Sequence, residues 1–111
     1  MKKEYRIKKS KEIEEVLKNK KYASNPYFTI YIKENNENHH FRYAISVNKK
    51  IGKAVVRNRI KRLLRESFRS FMPKIRQNFF FVFIPKVNEE YTLKEFIESM
   101  EFIFKKGGFL E

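Results

Sequence analysis

The 111-residue sequence contains no cysteine, which excludes disulfides and thiolate metal sites and suits a reducing compartment. No apolar run approaches the roughly 18 residues that a membrane span needs, and no apolar stretch follows the lysines at the N-terminus. We therefore expect neither a membrane span nor a signal peptide, and we expect a cytoplasmic location. The sequence also lacks internal repeats and low-complexity linkers, which favours a single domain over residues 1–111.

Acidic residues are scarce: 13 Glu stand against 26 Lys and Arg, which gives a net charge of +13. Residues 1–21 carry nine basic and four acidic side chains, residues 49–69 carry nine and one, and the two remaining segments balance to zero. A hydrophobic content of 41% still supports a folded core. The excess predicts a polyanionic partner, contacted by a basic N-terminal segment at residues 1–9 and by the segment 49–69.

Residues 56–71 have the apolar spacing of an amphipathic helix. At about 100° per residue, the side of Ile60 also receives Val56, Leu63, Leu64, Ser67, Phe68 and Phe71. The far side receives Asn58, Lys61, Arg62, Arg65 and Arg69, with Arg59 and Glu66 on one shoulder and Arg57 at the edge of the apolar stripe. A charged face is often only solvated, but such faces normally mix signs at i, i+4. This nearly single-signed, arginine-rich face favours phosphate binding.

The remaining pattern predicts an α/β fold with helices packed on a sheet. A first helix begins near Ser10 and ends near residues 19–21, with Ile13, Val16 and Leu17 on its apolar face. Strands at 27–33 and 41–47 are predicted to form an antiparallel hairpin. The run FFFVFI at 79–84 predicts a strand covered on both faces, and a capping box from Thr92 to Glu95 begins a last helix that ends at Gly107-Gly108.

Groups for protein-based catalysis are few. The only histidines, His39 and His40, are adjacent, so their side chains point to opposite sides of an extended chain and are better suited to a turn than to a shared phosphate. No His/Glu spacing typical of a metal site is present. Tyr31 lies on the strand face opposite Phe28, where stacking on an unpaired base and ordinary packing are both open; for Phe28 we favour packing.

Residues 46–65, SVNKKIGKAVVRNRIKRLLR, closely resemble the signature of the bacterial ribonuclease P protein subunit, whose core is the Arg-Asn-Arg motif at residues 57–59. The resemblance extends over nearly the whole chain. It implies an α+β sandwich of αβββαβα order, similar to ribosomal protein S5 domain 2, with a central mixed sheet. It also implies an unusual left-handed βαβ crossover, whereas general connection rules favour a right-handed one.

The resemblance further implies a function: helping a catalytic RNA to remove the 5′ leader of precursor tRNA. The active site and its Mg²⁺ ions would belong to the RNA subunit, with one protein per RNA and no metal held by the protein. The residues implied to bind the catalytic RNA are Lys49, Lys50, Lys53, Arg57, Asn58, Arg59, Lys61, Arg62, Arg65 and Arg69. Those implied to line a cleft for the leader are Ile13, Leu17, Phe28 and Tyr31, although relatives often carry phenylalanine where this chain has Ile13 and Leu17.

Two other functions fit the same composition. A structural RNA-binding protein of ribosomal type would also carry a basic tail and a basic helix, and only the signature at 46–65 separates it from a ribonuclease P subunit. A stand-alone nuclease would need catalytic side chains that the sequence does not display.

Overall fold

A computed structural model describes residues 5–7, 10–19, 21–35, 40–87 and 91–110. The elements follow the predicted αβββαβα order. They are α1 (Ser10–Lys18), β1 (Tyr22–Ser24), β2 (Phe28–Glu34), β3 (Arg42–Ile45), α2 (Ala54–Arg69), β4 (Phe79–Pro85) and α3 (Leu93–Gly107), with 3-10 turns at Lys49–Ile51 and Met72–Lys74. Within these ranges no helix is long and apolar enough to cross a membrane. Residues 36–39, which include His39, and most of the basic segment 1–9 lie outside the described residues.

The four strands form one mixed sheet in the order β1-β2-β4-β3. β4 pairs antiparallel with β2 and parallel with β3, so the predicted hairpin between the second and third strands is wrong. The hairpin does not form because β4, the most apolar strand, lies between β2 and β3. In this position both edges of β4 are removed from water. The left-handed crossover implied for β3, α2 and β4 stays a prediction.

β4 is covered on both faces, as its continuous apolar run predicted. Six of its seven residues are buried. Phe79, Phe81 and Phe83 join the larger core cluster, whereas Phe80 and Val82 join the smaller one on the opposite face. The sheet is therefore the middle of three layers, with α1 on one side and α2 and α3 on the other.

The larger core is built around Phe68 of α2. Its ring lies 5.1 Å from that of Phe83, 5.3 Å from Tyr43 and 5.9 Å from Phe104 of α3, measured between centroids. Aromatic pairs at these separations add to the stabilisation from burial. One side chain thus connects both helices of this layer to two strands.

The predicted buried stripe of α2 is largely confirmed. Ile60, Leu64, Ser67 and Phe68 are buried in the helix, and Phe71 is buried just beyond it. Leu63 is only half-buried, and Val56 is 40% exposed, so its placement on the stripe is wrong. Val56 lies in the first turn of the helix and contacts Gly52 rather than the sheet, because the helix begins beyond the edge of the core.

Both ends of α3 follow the predicted signals. The Oγ1 atom of Thr92 accepts a hydrogen bond from the backbone N–H of Glu95 at 3.2 Å, and the rings of Tyr91 and Phe96 lie 5.9 Å apart as a hydrophobic staple. At the other end, Gly108 has φ 73°, a left-handed conformation that favours glycine. The buried face of the helix comprises Phe96, Met100, Ile103 and Phe104, and Leu93 at the start of the helix is 37% exposed.

Leu64→Ala tests the orientation of α2. Leu64 is fully buried, so the substitution is expected to lower the free energy of unfolding by about 2–5 kcal/mol through loss of contacts and a residual cavity. Val55→Ala, on the same helix at 80% exposure, serves as the control and should change stability little. Denaturant unfolding measures both, and a neutral Leu64→Ala would contradict the orientation.

Candidate nucleic-acid interface

The basic surface of this protein consists of the 3-10 turn at Lys49–Ile51 and the polar side of α2. Its residues are Lys49, Lys50, Lys53, Arg57, Asn58, Arg59, Lys61, Arg62, Arg65 and Arg69. The Oδ1 atom of Asn48 accepts a hydrogen bond from the backbone N–H of Lys50 at 2.9 Å and so holds the turn closed. Gly52 follows with φ 148°, a conformation that L side chains rarely adopt. Together they set the lysines of the turn beside the first turn of α2.

Within the described residues, no carboxylate forms an ion pair with this surface. The ion pairs among the described residues join Lys33 to Glu15, Arg42 to Glu12 and Lys105 to Glu101. None of them uses a Lys or Arg between residues 49 and 69. A solvated helix face ordinarily gains from i, i+4 pairs of opposite sign, so the arrangement is that of a surface prepared for an external anion.

The cations of α2 divide into two groups by exposure. Arg62 and Arg69 are exposed, as predicted for the far side of the helix, and Arg59 on its shoulder is exposed as well. Lys61 and Arg65 are instead half-buried and line a small cavity of about 220 Å³ at the edge of β3. Their long apolar stems cover the core while the charged groups stay at the cavity.

The same cavity is completed by residues outside the helix. Arg6 and Ile7 of the N-terminal segment and Ile13 of α1 lie on its other side, and Ile7 donates its N–H to the carbonyl of Tyr43 at 2.8 Å. Arg6 was absent from the residues implied by the resemblance, although the charge excess of residues 1–21 was a signal for it. The basic surface and the N-terminal segment therefore meet at one place.

Two arginines of the basic surface have incomplete internal hydrogen bonding. The Nε atoms of Arg57 and Arg65 are buried and have no hydrogen-bond partner among the described residues. A buried donor without a partner costs about 1–3 kcal/mol. These two Nε groups therefore do not add to the stability of the fold through hydrogen bonds within the described residues.

The opposite side of the sheet carries the second candidate surface, which we call the α1 cleft. Tyr31, Ile13, Leu17 and Ile84 are half-buried there, around a buried centre that includes Val16 and Val82. The structure thus brings together the three cleft residues Ile13, Leu17 and Tyr31 from two distant segments. Tyr22 of β1 adds a second ring 5.5 Å from that of Tyr31.

Phe28 does not belong to this cleft. It is fully buried on the other face of the sheet, with its ring 6.0 Å from Phe83 and 5.9 Å from Phe96. Because side chains alternate along a strand, Phe28 and Tyr31 point in opposite directions. Its assignment to the cleft is wrong, and the packing role favoured from the sequence is confirmed.

Ion pairs attach α1 over the sheet. The Nη1 atom of Arg42 lies 2.9 Å from Oε2 of Glu12, and the Nζ atom of Lys33 lies 3.6 Å from Oε2 of Glu15. Such partly exposed pairs contribute only about 0–1 kcal/mol each, whereas full burial of an aliphatic side chain such as Val16 contributes about 1.5–3 kcal/mol. Val16 therefore holds the helix, and the pairs fix its direction.

His40 has a structural position. Its Nδ1 atom lies 2.8 Å from the backbone carbonyl oxygen of Phe41, and its ring packs edge-on against Tyr5 at 4.7 Å. Across the described ranges, no three His, Cys, Asp or Glu residues are grouped so that they could hold a metal ion.

Comparison with known proteins identifies the family. The family model described as Ribonuclease P matches residues 1–108. This chain belongs to the ribonuclease P protein family. It is 46% identical over 105 residues to the ribonuclease P protein component of Macrococcus caseolyticus, covering 95% of this chain and 91% of that protein.

Solved ribonuclease P proteins have the same fold. A Staphylococcus aureus RNase P protein mutant with defective mRNA degradation activity aligns with a TM-score of 0.85 and 34% identity, covering 98% of this chain and 92% of that one. The Thermotoga maritima protein aligns with a TM-score of 0.79 and 28% identity, covering 91% and 96%. As a ribonuclease P protein component, the chain acts in tRNA processing as part of a ribonucleoprotein, with the RNA subunit and the tRNA substrate as partners.

The exposed part of the basic surface can be tested by its salt dependence. Arg62→Gln combined with Arg69→Gln should weaken binding to a bacterial ribonuclease P RNA and flatten the slope of log K against log salt by about 0.7–0.9 per lost phosphate contact. Lys94→Gln combined with Lys105→Gln removes the same charge from α3 and is the matched control. Equal slopes for the two double variants would mean that the surface is merely solvated.

Proposed function

We propose that the basic surface binds the catalytic RNA of ribonuclease P, and that the α1 cleft receives the single-stranded 5′ leader of precursor tRNA. The observation that carries the proposal is the run of Lys and Arg between residues 49 and 69, unpaired with any carboxylate among the described residues. Phosphates supply the missing anions, and arginine binds them through its planar fork of donors.

The chemistry of cleavage is assigned to the RNA subunit. Hydrolysis of a phosphodiester requires an acid and a base or metal ions that activate water. The part of the chain that the structure describes groups no three potential metal ligands, and His40 is engaged beside Phe41. We infer, as the family resemblance implies, that Mg²⁺ is bound by the RNA subunit.

The α1 cleft has the composition of a site for unpaired nucleotides. Tyr31 offers a ring face between two elements, and Ile13 and Leu17 form an apolar wall. Stacking on tyrosine tolerates any base, so the cleft suits leaders of differing sequence and broadens the substrate range. Because α1 carries aliphatic side chains in place of phenylalanine, Tyr31 is the stacking ring beside α1. The helix itself contributes apolar contact only.

Two further expectations accompany this function. One protein per catalytic RNA is expected, as the family resemblance implies. A cytoplasmic location follows from the site of tRNA maturation in bacteria. A purely structural role of ribosomal type would use the same basic surface but would leave the rate of leader removal unchanged.

Reconstitution tests the function directly. Precursor tRNA is incubated at low Mg²⁺ with the protein, with a bacterial ribonuclease P RNA, and with both. Stimulation of the RNA by the protein is the expected result, because the protein supplies leader contacts and charge neutralisation. Absence of stimulation would favour the structural role, and cleavage by the protein alone would favour a stand-alone nuclease.

A messenger RNA belongs in the same experiment. The mutant S. aureus relative is described as defective in mRNA degradation, so the protein alone is also incubated with an unstructured mRNA fragment. We expect no degradation without the RNA subunit. Degradation of this fragment by the purified chain would place part of the chemistry on the protein.

Tyr31→Ala tests the cleft. The variant should lose up to about 1–3 kcal/mol of binding free energy, and only for tRNA that carries a 5′ leader. Tyr31→Phe retains the ring and is the control, expected to bind normally. The measurement is the affinity of the reconstituted holoenzyme for precursor and for mature tRNA. An equal loss with both forms would remove Tyr31 from the leader site.

Arg59→Ala tests the division between the two surfaces. Arg59 is exposed on the basic surface, so its loss should weaken assembly with the catalytic RNA whether or not the substrate has a leader. Arg76→Ala, also exposed but outside the surface, is the control for loss of one charge. Titration of the RNA subunit with each variant measures assembly, and equal affinities would contradict the assignment.

A further inference from the structure

A larger cavity lies on the far side of β1 from the centre of the sheet. It has a volume of about 670 Å³, within the range of small-ligand sites. Its walls come from the segment 21–26, which contains β1, and from the last turns of α3 with Phe109. β1 is an edge strand, paired only with β2. We call this cavity the β1–α3 pocket.

Aromatic rings line the β1–α3 pocket from two sides. Tyr22 is 60% exposed and Phe102 is 66% exposed, so both offer surface to an external ligand. Phe109 closes the floor and is buried. It approaches so near to α3 that a Cβ atom at Gly107 would lie 2.2 Å from the ring. Glycine at this position thus shapes the pocket.

Two lysines lie beside the aromatic rings of the pocket. The Nζ atom of Lys106 lies 5.5 Å from the centroid of the Phe102 ring, and that of Lys21 lies 5.5 Å from the centroid of Phe109. Neither lysine takes part in the ion pairs found among the described residues. Glu98 is the one acidic residue in the lining. Asn25, also in the lining, has a side-chain Nδ2 donor that the described part of the protein leaves without a partner.

We propose that the β1–α3 pocket binds an unpaired nucleotide of the precursor leader, beyond the part held in the α1 cleft. The base stacks on Phe102, and the flanking phosphates pair with Lys106 and Lys21. Rings next to cations are the chemistry by which proteins hold single strands. Glu98 accepts hydrogen bonds only, so it suits the amino groups of adenine, cytosine or guanine and turns the phosphates toward the lysines.

Tyr22 makes the pocket continuous with the cleft. It lines the pocket, and its ring lies 5.5 Å from that of Tyr31. Because β1 is the edge strand of the sheet, a leader that leaves Tyr31 can pass Tyr22, turn around this edge and reach Phe102 on the side of α3. This inference rests on the proposed binding of the leader in the α1 cleft. A second copy of the chain is a poor occupant, because two molecules of net charge +13 repel.

The test compares leaders of two lengths in the reconstituted holoenzyme. One leader has about twelve nucleotides, which at about 3.4 Å per nucleotide exceeds even the longest dimension of the protein, 38 Å; the other has a single nucleotide. Phe102→Ala should weaken binding of the longer leader at least about fivefold and leave the shorter one unchanged. The 66% exposure of Phe102 means that the variant should fold normally, which thermal unfolding checks.

Charge is tested with neighbouring lysines on α3. Lys106→Gln should weaken binding of the longer leader, whereas Lys105→Gln removes the same charge from a residue that is paired with Glu101 and lies outside the pocket lining. Equal effects of the two substitutions would overturn the proposal. A Phe102→Ala protein that binds both leaders normally would overturn it too, as would an equal loss with the single-nucleotide leader.

Tyr31→Ala distinguishes failure of the pocket assignment from failure of the proposed leader binding in the α1 cleft. If Tyr31→Ala weakens the longer leader and Phe102→Ala does not, the pocket assignment fails and the cleft stands. If neither variant affects either leader, the cleft itself is wrong. Loss of subunit assembly in Phe102→Ala would assign the pocket to the catalytic RNA instead and would also overturn the proposal.

Discussion

The structure depends on the burial of β4 on both of its faces. A strand of the sequence FFFVFIP cannot leave either face in water, since each fully buried apolar side chain contributes about 1.5–3 kcal/mol. α2 and α3 cover one face, and α1 with Ile7 covers the other. The positions of the two proposed RNA-binding surfaces follow from this requirement, because one is the outer side of a covering helix and the other is a margin that a covering helix leaves open.

The helices cover the two faces of the sheet unequally, and this difference bears on the proposed function. Two long helices with many aromatic contacts close the face of Phe68, whereas the nine-residue α1 is held chiefly by Val16 on the other face. A short helix cannot cover a four-stranded sheet. Tyr31 and Ile84 therefore remain half-exposed beside it, which provides apolar and aromatic surface at a place where a flexible single strand can lie.

The electrostatics of the chain oppose its stability. Like charges about 4 Å apart repel by roughly 1 kcal/mol even in water, and the cations from Lys49 to Arg69 have no carboxylate partners in the described structure. Burial of the aromatic core offsets this repulsion, so the free protein tolerates its basic surface. Binding of an RNA partner would relieve the repulsion. We therefore expect the protein to gain stability on assembly, because anything that binds only the folded state stabilises it.

Local patterns were enough for much of the fold. The stripe at Ile60, Leu64 and Phe68 predicted the buried side of α2, the run at 79–84 predicted a strand buried on both faces, and the signals at Thr92 and Gly108 predicted the ends of α3. These succeed because helix and strand periodicity, caps and glycine turns are short-range properties of the backbone. The prediction failed for Val56 because helical periodicity gives the direction of a side chain around the helix axis. It does not give the point along that axis at which the core ends.

Features that depend on contacts between segments distant in the sequence were decided only by the tertiary structure. Placing β4 between β2 and β3, rather than joining those two in a hairpin, depends on the burial of a strand more than thirty residues away in sequence. Lys61 and Arg65 turn toward Arg6 because α2 reaches the edge of β3, and Phe28 belongs to the core because its face of the sheet is the one covered by α3. The sequence by itself determined the charge, the elements and, through residues 46–65, the family. Only the packing of distant segments determined which side chains share a surface, since alternation and helical phase do not say what lies opposite.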